Sequence, residues 1–223
     1  MKEYFGILKK CPLFFGIDES NLCNLLDCLN AKVLSFMKNQ VIIEEGTPAK
    51  YFGIVLSGSV SITKLDYFGN KSIISVIEPS DLFGESFACA ETKAVSVSVV
   101  AQNDSEIMLI DCKRIIHSCS NSCEFHSRII YNLLKILAEK NLMFNQKIEI
   151  TSKRTTREKL MTFLSFQAAK NSSNSFYIPF DRQSLADYLE VDRSGLSCEI
   201  GKLRKEGIIE SKRNYFKILE LKK

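Results

Sequence analysis

Residues 192–205 predict a short capped helix with a single apolar stripe, and this helix narrows the range of folds open to the chain. Asp192 is a good N-cap residue, because its carboxylate can accept a hydrogen bond from a backbone N–H of the first turn. Gly207 suits the left-handed residue that closes a helix. Three apolar residues recur at the spacing of one buried helix face: Leu196, Ile200 and Leu203. The opposite face is polar and partly basic.

The flanking segments extend this helix into a larger motif. Residues 181–189 predict a second short amphipathic helix, which ends shortly before Asp192. Two short helices that meet across three or four residues are the signature of a helix-turn-helix. Residues 207–219 alternate like a two-stranded hairpin, with basic residues 212–213 near its tip. A basic-tipped hairpin beside such a motif is typical of a winged helix-turn-helix, which binds DNA.

The polar residues of this motif are the candidate DNA contacts. The N-terminal turns of a recognition helix meet base edges in the major groove, and Arg193 can form two hydrogen bonds with a guanine. Arg182, Gln183 and Lys212 are expected to hold phosphates. The predicted DNA-binding residues are Arg182, Gln183, Asp192, Arg193, Ser194, Ser197, Cys198 and Lys212. The alternative is an amphipathic helical hairpin that only packs against the rest of the protein. It would not explain why a helix cap, a polar helix face and a basic hairpin occur together.

The charge of the chain is divided unevenly. Residues 151–223 carry 15 Lys and Arg against 9 Asp and Glu, whereas residues 1–150 carry 15 against 17. Neutralisation of phosphates by Lys and Arg supplies much of the sequence-independent affinity for a duplex. The basic excess therefore agrees with double-stranded DNA as a partner, although many solvated surfaces carry a similar excess.

Short apolar or alternating runs separated by glycines fill the N-terminal part. The candidate strands are Val41–Ile43, Phe52–Leu56, Val60–Thr63, Ser72–Ile77, Val95–Ala101 and Ile107–Ile110. Such strands with glycine turns predict a sandwich or jelly roll, and a short helix is predicted after Asp18. A cupin-like metalloenzyme is the alternative from another class, but it needs imidazole and carboxylate ligands on its strands. Both histidines, His117 and His126, follow the last strand, and no nucleophile-elbow, P-loop or zinc-protease spacing occurs.

A long helix is predicted from Glu124 to about Gln146. Its apolar residues recur at heptad spacing or lie beside that repeat: Ile130, Leu133, Leu134, Leu137, Leu142 and Phe144. A repeat of 3.5 residues is what two helices need in order to pair. The pattern favours a homodimer, and burial of the helix against its own domain is the alternative.

Several of these segments resemble one known family. The arrangement from Arg182-Gln183 through Asp192-Arg193-Ser194 to Gly207 resembles the DNA-binding domain of the cyclic AMP receptor protein and fumarate/nitrate reduction regulator (Crp/Fnr) family. Segments 41–46, 53–60 and 81–86 resemble that family's effector-binding barrel, in family order and spacing. The resemblance covers nearly the whole chain. It implies an α+β fold with an N-terminal cyclic-nucleotide-binding-like jelly roll (1–121), a dimerisation helix (122–147) and a C-terminal winged helix-turn-helix (148–223).

The resemblance also implies a function, that of a one-component homodimeric transcription regulator which catalyses no reaction. Its expected partners are double-stranded DNA, a second copy of the chain, RNA polymerase and an unknown small-molecule effector. We expect it in the cytoplasm with no membrane contact, because we find no secretory signal and no run of ~20 apolar residues. Effector binding is expected to bias the orientation of the two DNA-binding domains, which requires tighter binding to one dimer arrangement.

The predicted effector site departs from the relatives that bind cyclic AMP. Those relatives carry a Gly-Glu pair for the ribose and, ten residues after that Glu, an Arg followed by Ser or Thr for the phosphate. Here Gly84 and Glu85 are present, but Val95 and Ser96 occupy the phosphate position. Lys93 could replace the lost cation only in part, because an ammonium is a poor substitute for a bidentate guanidinium. Cyclic AMP is therefore not the expected effector.

The effector-binding candidates are Gly84, Glu85, Ser86, Val95, Ser96, Lys140 and Asn141. Lys140 and Asn141 are included because they match ligand-contacting positions of cyclic-nucleotide relatives. Glu85 is either a retained ligand contact or only a structural residue.

The chain has eight cysteines, which suggest that it could sense a metal or the redox state as an alternative to a small molecule. The N-terminal cysteines do not match the cluster of the iron–sulfur members of the family. His117, Cys119, Cys123 and His126, however, place four metal-type ligands within ten residues. This spacing is compatible with a zinc, iron–sulfur or haem sensor or with a redox thiol pair. The alternative is packed thiols with surface imidazoles, which we favour because nothing brings His117 to the same point. The cofactor stays unknown.

Overall fold

Residues 2–65, 71–116 and 124–219 are described by the computed structural model. Two units, Met1–Ala138 and Glu139–Lys223, each have an apolar core of their own. The boundary between them falls inside one long helix. A sensor part and a DNA-binding part, each with its own core, are what the sequence predicts.

The first unit contains short helices and eight strands among its described residues. In chain order they are α1 (Phe5–Leu8), α2 (Glu19–Cys28), β1 (Lys32–Phe36), β2 (Val41–Ile43), β3 (Tyr51–Ser57), β4 (Val60–Leu65), β5 (Lys71–Ile77), β6 (Leu82–Phe83), α3 (Glu85–Cys89), β7 (Ser98–Ala101), β8 (Ser105–Asp111) and α4 (Cys112–Ile116). The long helix α5 (Glu124–Thr151) follows. Four strands form one antiparallel sheet in the order β1-β8-β3-β6, and the other four form a second in the order β2-β7-β4-β5. The predicted jelly roll is confirmed.

Strand β3 explains why part of this domain is continuously apolar in sequence. Phe52 and Ile54 face a core that includes helices α1, α2 and α5, whereas Val55 faces the core between the two sheets. A strand buried on both faces carries an unbroken apolar run instead of an alternating one. The sheet that contains β3 is therefore the middle layer of this unit.

Three details of the first unit differ from the predicted strands. Strands β1 and β6 were not predicted, because β1 is largely exposed and β6 has only two residues. The strand expected to begin at Val95 begins at Ser98. The Val95 backbone instead exchanges hydrogen bonds of 2.8 and 2.9 Å with the loop residues Gly46 and Thr47. Lys93 consequently lies before the strand and not on its face.

The second unit contains α6 (Thr156–Asn171), β9 (Ser175–Tyr177), α7 (Arg182–Leu189), α8 (Arg193–Lys205), β10 (Ile209–Lys212) and β11 (Tyr215–Ile218). Its sheet has the order β10-β11-β9. Helix α6 begins with a capping box, in which Thr155 and Glu158 each accept the other's backbone N–H. Helices α7 and α8 with the β10–β11 hairpin form the predicted winged helix-turn-helix.

Helix α5 has two different faces. Ile129, Leu133 and Ile136 are buried in the core of the first unit, whereas Leu134 and Phe144 are 61% and 66% exposed. The helix runs past residue 147, the predicted end of the dimerisation segment, because Ile150 is buried in the core of the second unit. No helix in the described part of the chain is long and apolar enough to cross a membrane.

Candidate nucleic-acid interface and effector cavity

Two aspartates cap the helices of the helix-turn-helix. Asp181 accepts a hydrogen bond of 2.7 Å from the Ser184 N–H at the start of α7. Asp192 accepts one of 2.8 Å from the Gly195 N–H at the start of α8, as the sequence predicts. The Ser194 hydroxyl also donates to Asp192, and this bond, together with the Gly195 bond, lowers the pKa of the Asp192 carboxyl. Asp192 therefore sets the start of the recognition helix, and its predicted DNA contact stays a prediction.

The end of α8 is closed by Gly207, which has φ +70°. The Ile208 N–H donates to the Leu203 carbonyl oxygen at 3.0 Å, and the Gly207 N–H donates to that of Arg204 at 3.2 Å. These two bonds define a Schellman motif, in which a left-handed residue is favoured after the last turn. The sequence-based prediction for Gly207 is confirmed.

The first turns of α8 present polar side chains to solvent. Its apolar stripe is buried in the core of the second unit: Leu196, Ile200 and Leu203. The predicted base-contacting residues are exposed: Arg193, Ser194, Ser197 and Cys198. Because the stripe holds one face on the core, the opposite face is presented for contact with a partner.

A concave groove lies between α8 and the wing, which is the hairpin of β10 and β11. Arg204 of α8 and Lys212 and Arg213 of the wing line this groove together with Arg182 and Ser197. Four cations on one concave surface suit the phosphate backbone of a duplex. Arg204 and Arg213 are not among the DNA-binding residues predicted from the sequence. Helical spacing from Ser197 and the basic hairpin tip were the signals that could have identified them.

Arg182 also has a structural role. Its guanidinium carbon lies 5.8 Å from the centroid of the Phe216 ring, and Nη2 donates to the Arg213 carbonyl oxygen at 3.4 Å. The pKa of Arg182 is lowered because the side chain is partly buried. Arg182 therefore positions the wing tip from α7. The side chain of its neighbour Gln183 is exposed and donates to Asp187 at 2.8 Å.

A cavity of about 370 Å³ lies within the first unit. Apolar side chains from both sheets and from α3 line it: Ile43, Ile62, Phe87, Val97, Val99 and Leu109. Glu44, Thr47, Lys50 and Tyr51 add a polar edge, on which the Lys50 ammonium lies 5.1 Å from the centroid of the Tyr51 ring. A side-chain hydrogen bond to Tyr51 raises the pKa of Lys50. A mostly apolar cavity with a few polar groups is typical of a small-molecule site.

The predicted effector residues occupy different positions around this cavity. Gly84 and Val95 line it, whereas Glu85 is buried at the start of α3 and Ser86 and Ser96 are exposed. Gly84 has φ +77°, and a Cβ there would lie 3.2 Å from Ile43 Cδ1, so glycine is needed between β6 and α3. Lys140 and Asn141 lie on α5 in the second unit. Their ligand contacts stay predictions.

The position predicted to hold a phosphate has an apolar side chain in the cavity lining. Val95 places an apolar side chain, 3% exposed, where cyclic-AMP-binding relatives have a guanidinium. Lys50 is the one cation among the described residues of the lining, and its side chain is exposed. A phosphate placed against Val95 would lose hydration to an apolar side chain, which offers it no hydrogen bond.

The predicted metal or redox segment lies largely outside the described residues, which do not include His117, Cys119 and Cys123. His126 is described, and it is buried on α5 with Nε2 3.9 Å from the Cys28 sulfur. Among the residues that the structure describes, no three His, Cys, Asp or Glu side chains are grouped so that they could hold a metal ion. The hypothesis for the 117–126 segment stays a prediction.

Two family models match this chain, in the same order as the two units. Residues 33–121 match the cyclic nucleotide-binding domain, and residues 158–223 match the Crp-like helix-turn-helix domain. The first match includes the strands around the cavity, and the second includes the capped helices and the wing.

Individual proteins also resemble this chain in sequence and in fold. The chain is 22% identical over 191 residues to the transcriptional activator protein FnrL of Cereibacter sphaeroides, covering 81% of this chain and 74% of that protein. It is 24% identical over 203 residues to the anaerobic regulatory protein of Bacillus subtilis, and the match covers 85% of this chain and 80% of that protein. The crystal structure of Thermus thermophilus catabolite activator protein has the same fold, with a TM-score of 0.56, 19% identity and 93% of each chain covered.

These homologues are transcription regulators and not enzymes. Both domains, their order and the helix-turn-helix of this chain agree with them. The chain belongs to the Crp/Fnr family of transcription regulators, with a sensor domain of the cyclic nucleotide-binding type and a Crp-like helix-turn-helix.

Proposed function

We propose that this chain is a homodimeric regulator that binds specific DNA sequences through α8 and whose DNA affinity responds to a small molecule bound in the jelly-roll cavity. The capped, solvent-facing start of α8 beside the four-cation groove is the observation that carries this proposal. We infer that it acts in the cytoplasm and contacts RNA polymerase at its promoters, in keeping with its family.

A selection from random duplexes tests the DNA-binding part. The full-length protein is expected to enrich a palindrome whose half-site centres lie about 10 base pairs apart, because a symmetric dimer presents two recognition helices one DNA turn apart. Enrichment of unrelated sequences, or of a single half-site without a symmetry mate, would contradict this part of the proposal.

The second copy is the proposed occupant of the exposed apolar face of α5. The residues Ile130, Leu134, Leu137, Asn141, Phe144 and Ile148 follow the alternating steps of four and three residues of a coiled-coil seam. Leu134, Phe144 and Ile148 of this seam are between 61% and 66% exposed. A polar Asn141 among apolar seam residues favours one register of two identical helices.

The proposed effector has an apolar body and one polar or anionic end. Val95, Val97 and Val99 line the cavity with apolar side chains, while Lys50 and Tyr51 lie at its polar edge. Cyclic AMP is not the proposed effector, because its charged phosphate would lie against Val95.

The fluorescent acid 1-anilinonaphthalene-8-sulfonate is a suitable probe, since it combines an aromatic body with one anionic group. We expect saturable binding that Val97→Phe abolishes by filling the cavity. The control Val76→Phe, on the exposed side of β5, should leave binding unchanged. Equal binding to both variants, or displacement of the probe by micromolar cyclic AMP, would contradict the proposed effector class without affecting the DNA-binding part.

A further inference from the structure

The sulfurs of Cys89 and Cys112 lie 3.1 Å apart in the first unit. Cys89 is the last residue of α3, and Cys112 is the first residue of α4. A disulfide has an S–S distance of about 2.05 Å, so the sulfurs need to approach by only about 1 Å. Neither cysteine belongs to the DNA-binding surface or to the cavity lining.

The two thiols differ in access to solvent. Cys112 is 1% exposed, whereas Cys89 is partly exposed. A hydrogen bond between the two sulfurs lowers the pKa of Cys89 and raises that of Cys112, and burial raises the pKa of Cys112 further. The more accessible sulfur is thus also the better nucleophile, since the thiolate is the reactive form of cysteine.

Cys11 gives a useful comparison within the same unit. It is fully buried, and desolvation raises its pKa to about 12. A thiol of that kind is inert toward oxidants at neutral pH. Burial alone would make Cys112 equally unreactive toward oxidants in solution. The Cys89 sulfur lies beside it, however, so Cys112 can react with an oxidised Cys89 without being exposed to solvent itself.

We propose that Cys89 and Cys112 form a reversible, peroxide-sensitive disulfide that ties α3 to α4. The Cys89 thiolate attacks a peroxide oxygen, the O–O bond breaks, and the leaving alkoxide or hydroxide takes up a proton, which leaves Cys89 as a sulfenic acid. The Cys112 sulfur then attacks the Cys89 sulfur, the S–O bond breaks, and the hydroxyl leaves as water with the Cys112 proton. In total, two thiols lose two electrons and two protons, and the peroxide is reduced to an alcohol or water plus one water.

The position of the pair gives this bond a structural consequence. Gly84 and Phe87, at the start of α3 and within it, line the effector cavity. Glu91 and Lys113 form an ion pair of 3.2 Å between the same two segments, but both side chains are exposed and such a pair contributes little stability. A covalent bond would hold the α3 wall of the cavity against α4 far more firmly.

The test treats the full-length reduced protein with one equivalent of hydrogen peroxide and maps disulfides by peptide mass spectrometry. A peptide linked through Cys89 and Cys112 is expected, and dithiothreitol should return both thiols. Cys89→Ser should slow thiol loss at least about tenfold, because it removes the nucleophile. Cys112→Ser should leave Cys89 trapped as a sulfenic acid that a dimedone probe captures.

Cys23→Ser is the matched control, since Cys23 is also partly exposed in the same unit, and it should leave the rate and the linked peptide unchanged. Circular dichroism of each variant verifies the fold, and Cys112→Ala replaces Cys112→Ser if the latter unfolds. Consumption of peroxide without a Cys89–Cys112 peptide, a dominant linkage between other cysteines, or an unchanged rate in Cys89→Ser would overturn the proposal.

Discussion

The ammonium of Lys147, near the end of α5, lies 4.5 Å from the centroid of the Tyr188 ring of α7 and donates to the Tyr188 carbonyl oxygen. The same ammonium lies 3.4 Å from Oε1 of Glu190, in the turn that leads to α8. Burial raises the pKa of the Tyr188 hydroxyl, so the ring stays neutral beside the cation. A single side chain of the long helix thus holds the end of the first helix of the DNA-binding motif.

Lys147→Met should therefore destabilise the second unit and weaken operator binding. The apolar stem is kept while the hydrogen bond and the cation–π contact are lost, which we expect to cost about 1–2 kcal/mol. Thermal unfolding and operator titration measure the two effects. Lys170→Met, at the exposed end of α6, is the control and should change neither. Equal melting temperatures for Lys147→Met and the wild type would show that the contact contributes nothing.

Arg193→Ala and Lys212→Ala should change different properties of DNA binding, the first sequence preference and the second overall affinity. Arg193 is exposed in the first turn of α8, so its loss should relax the preference for one guanine by roughly 1–3 kcal/mol. Lys212 lines the groove at the wing, and its loss should weaken all duplexes alike and reduce the salt slope by about one. Titrations against matched and mismatched operators at several salt concentrations separate these effects. Identical sequence profiles and salt slopes for both variants would refute the assignment.

If the proposed homodimer forms through α5, Phe144→Glu should give a monomer without unfolding either unit. Phe144 belongs to the seam of α5 and is 66% exposed, so a carboxylate there would be buried only in the dimer. Met143 is similarly exposed at 67% but lies off the seam, and Met143→Glu is the matched control. Sedimentation velocity should give a monomer for the first variant and a dimer for the second. The same mass for both would place the dimer contact elsewhere.

Cyclic AMP should bind weakly and without effect on operator affinity. Loss of a charged hydrogen bond to the phosphate costs about 1.5–3 kcal/mol, roughly a 10- to 150-fold change in the dissociation constant. Isothermal calorimetry on the wild type checks the affinity, and an operator titration with cyclic AMP checks the coupling. Micromolar or tighter binding that strengthens DNA binding would disprove the argument built on Val95.

Acid should weaken the start of α8 through Asp192. The folded-state pKa of Asp192 is lowered, first by the Ser194 hydroxyl and then by the Gly195 N–H, so the charged cap stabilises the fold at neutral pH. This contribution is complete above the unfolded pKa of about 4 and disappears as the pH falls through the lowered value. Asp192→Asn keeps a capping oxygen that does not titrate. Below about pH 4, the melting temperature of the wild type should therefore fall relative to that of Asp192→Asn. A difference in melting temperature that does not change with pH would contradict this role of Asp192.

Local chemistry made the DNA-binding part predictable from the chain alone. A cap such as Asp192 and a closing residue such as Gly207 act within one helical turn, and the apolar stripe through Leu196 and Ile200 needs only helical spacing. The resemblance to the Crp/Fnr family added the order of the domains. The jelly roll followed from alternation and glycine turns, although β1 was missed because its residues are mostly exposed.

The contacts that join distant segments could not be predicted in this way. Lys147 and Tyr188 are 41 residues apart, and Cys89 and Cys112 are 23 apart. The thiol pair that the sequence suggests, Cys119 and Cys123, lies outside the described residues. Sequence periodicity states which face of a helix or strand is apolar, and capping residues state where a helix begins and ends. Which two faces then meet depends on how all the side chains of a core fill space together, and no short pattern contains that information. For this reason the Crp-like helix-turn-helix was evident in the residues themselves, whereas the cavity, the basic groove and the Cys89–Cys112 pair became visible only in the folded chain.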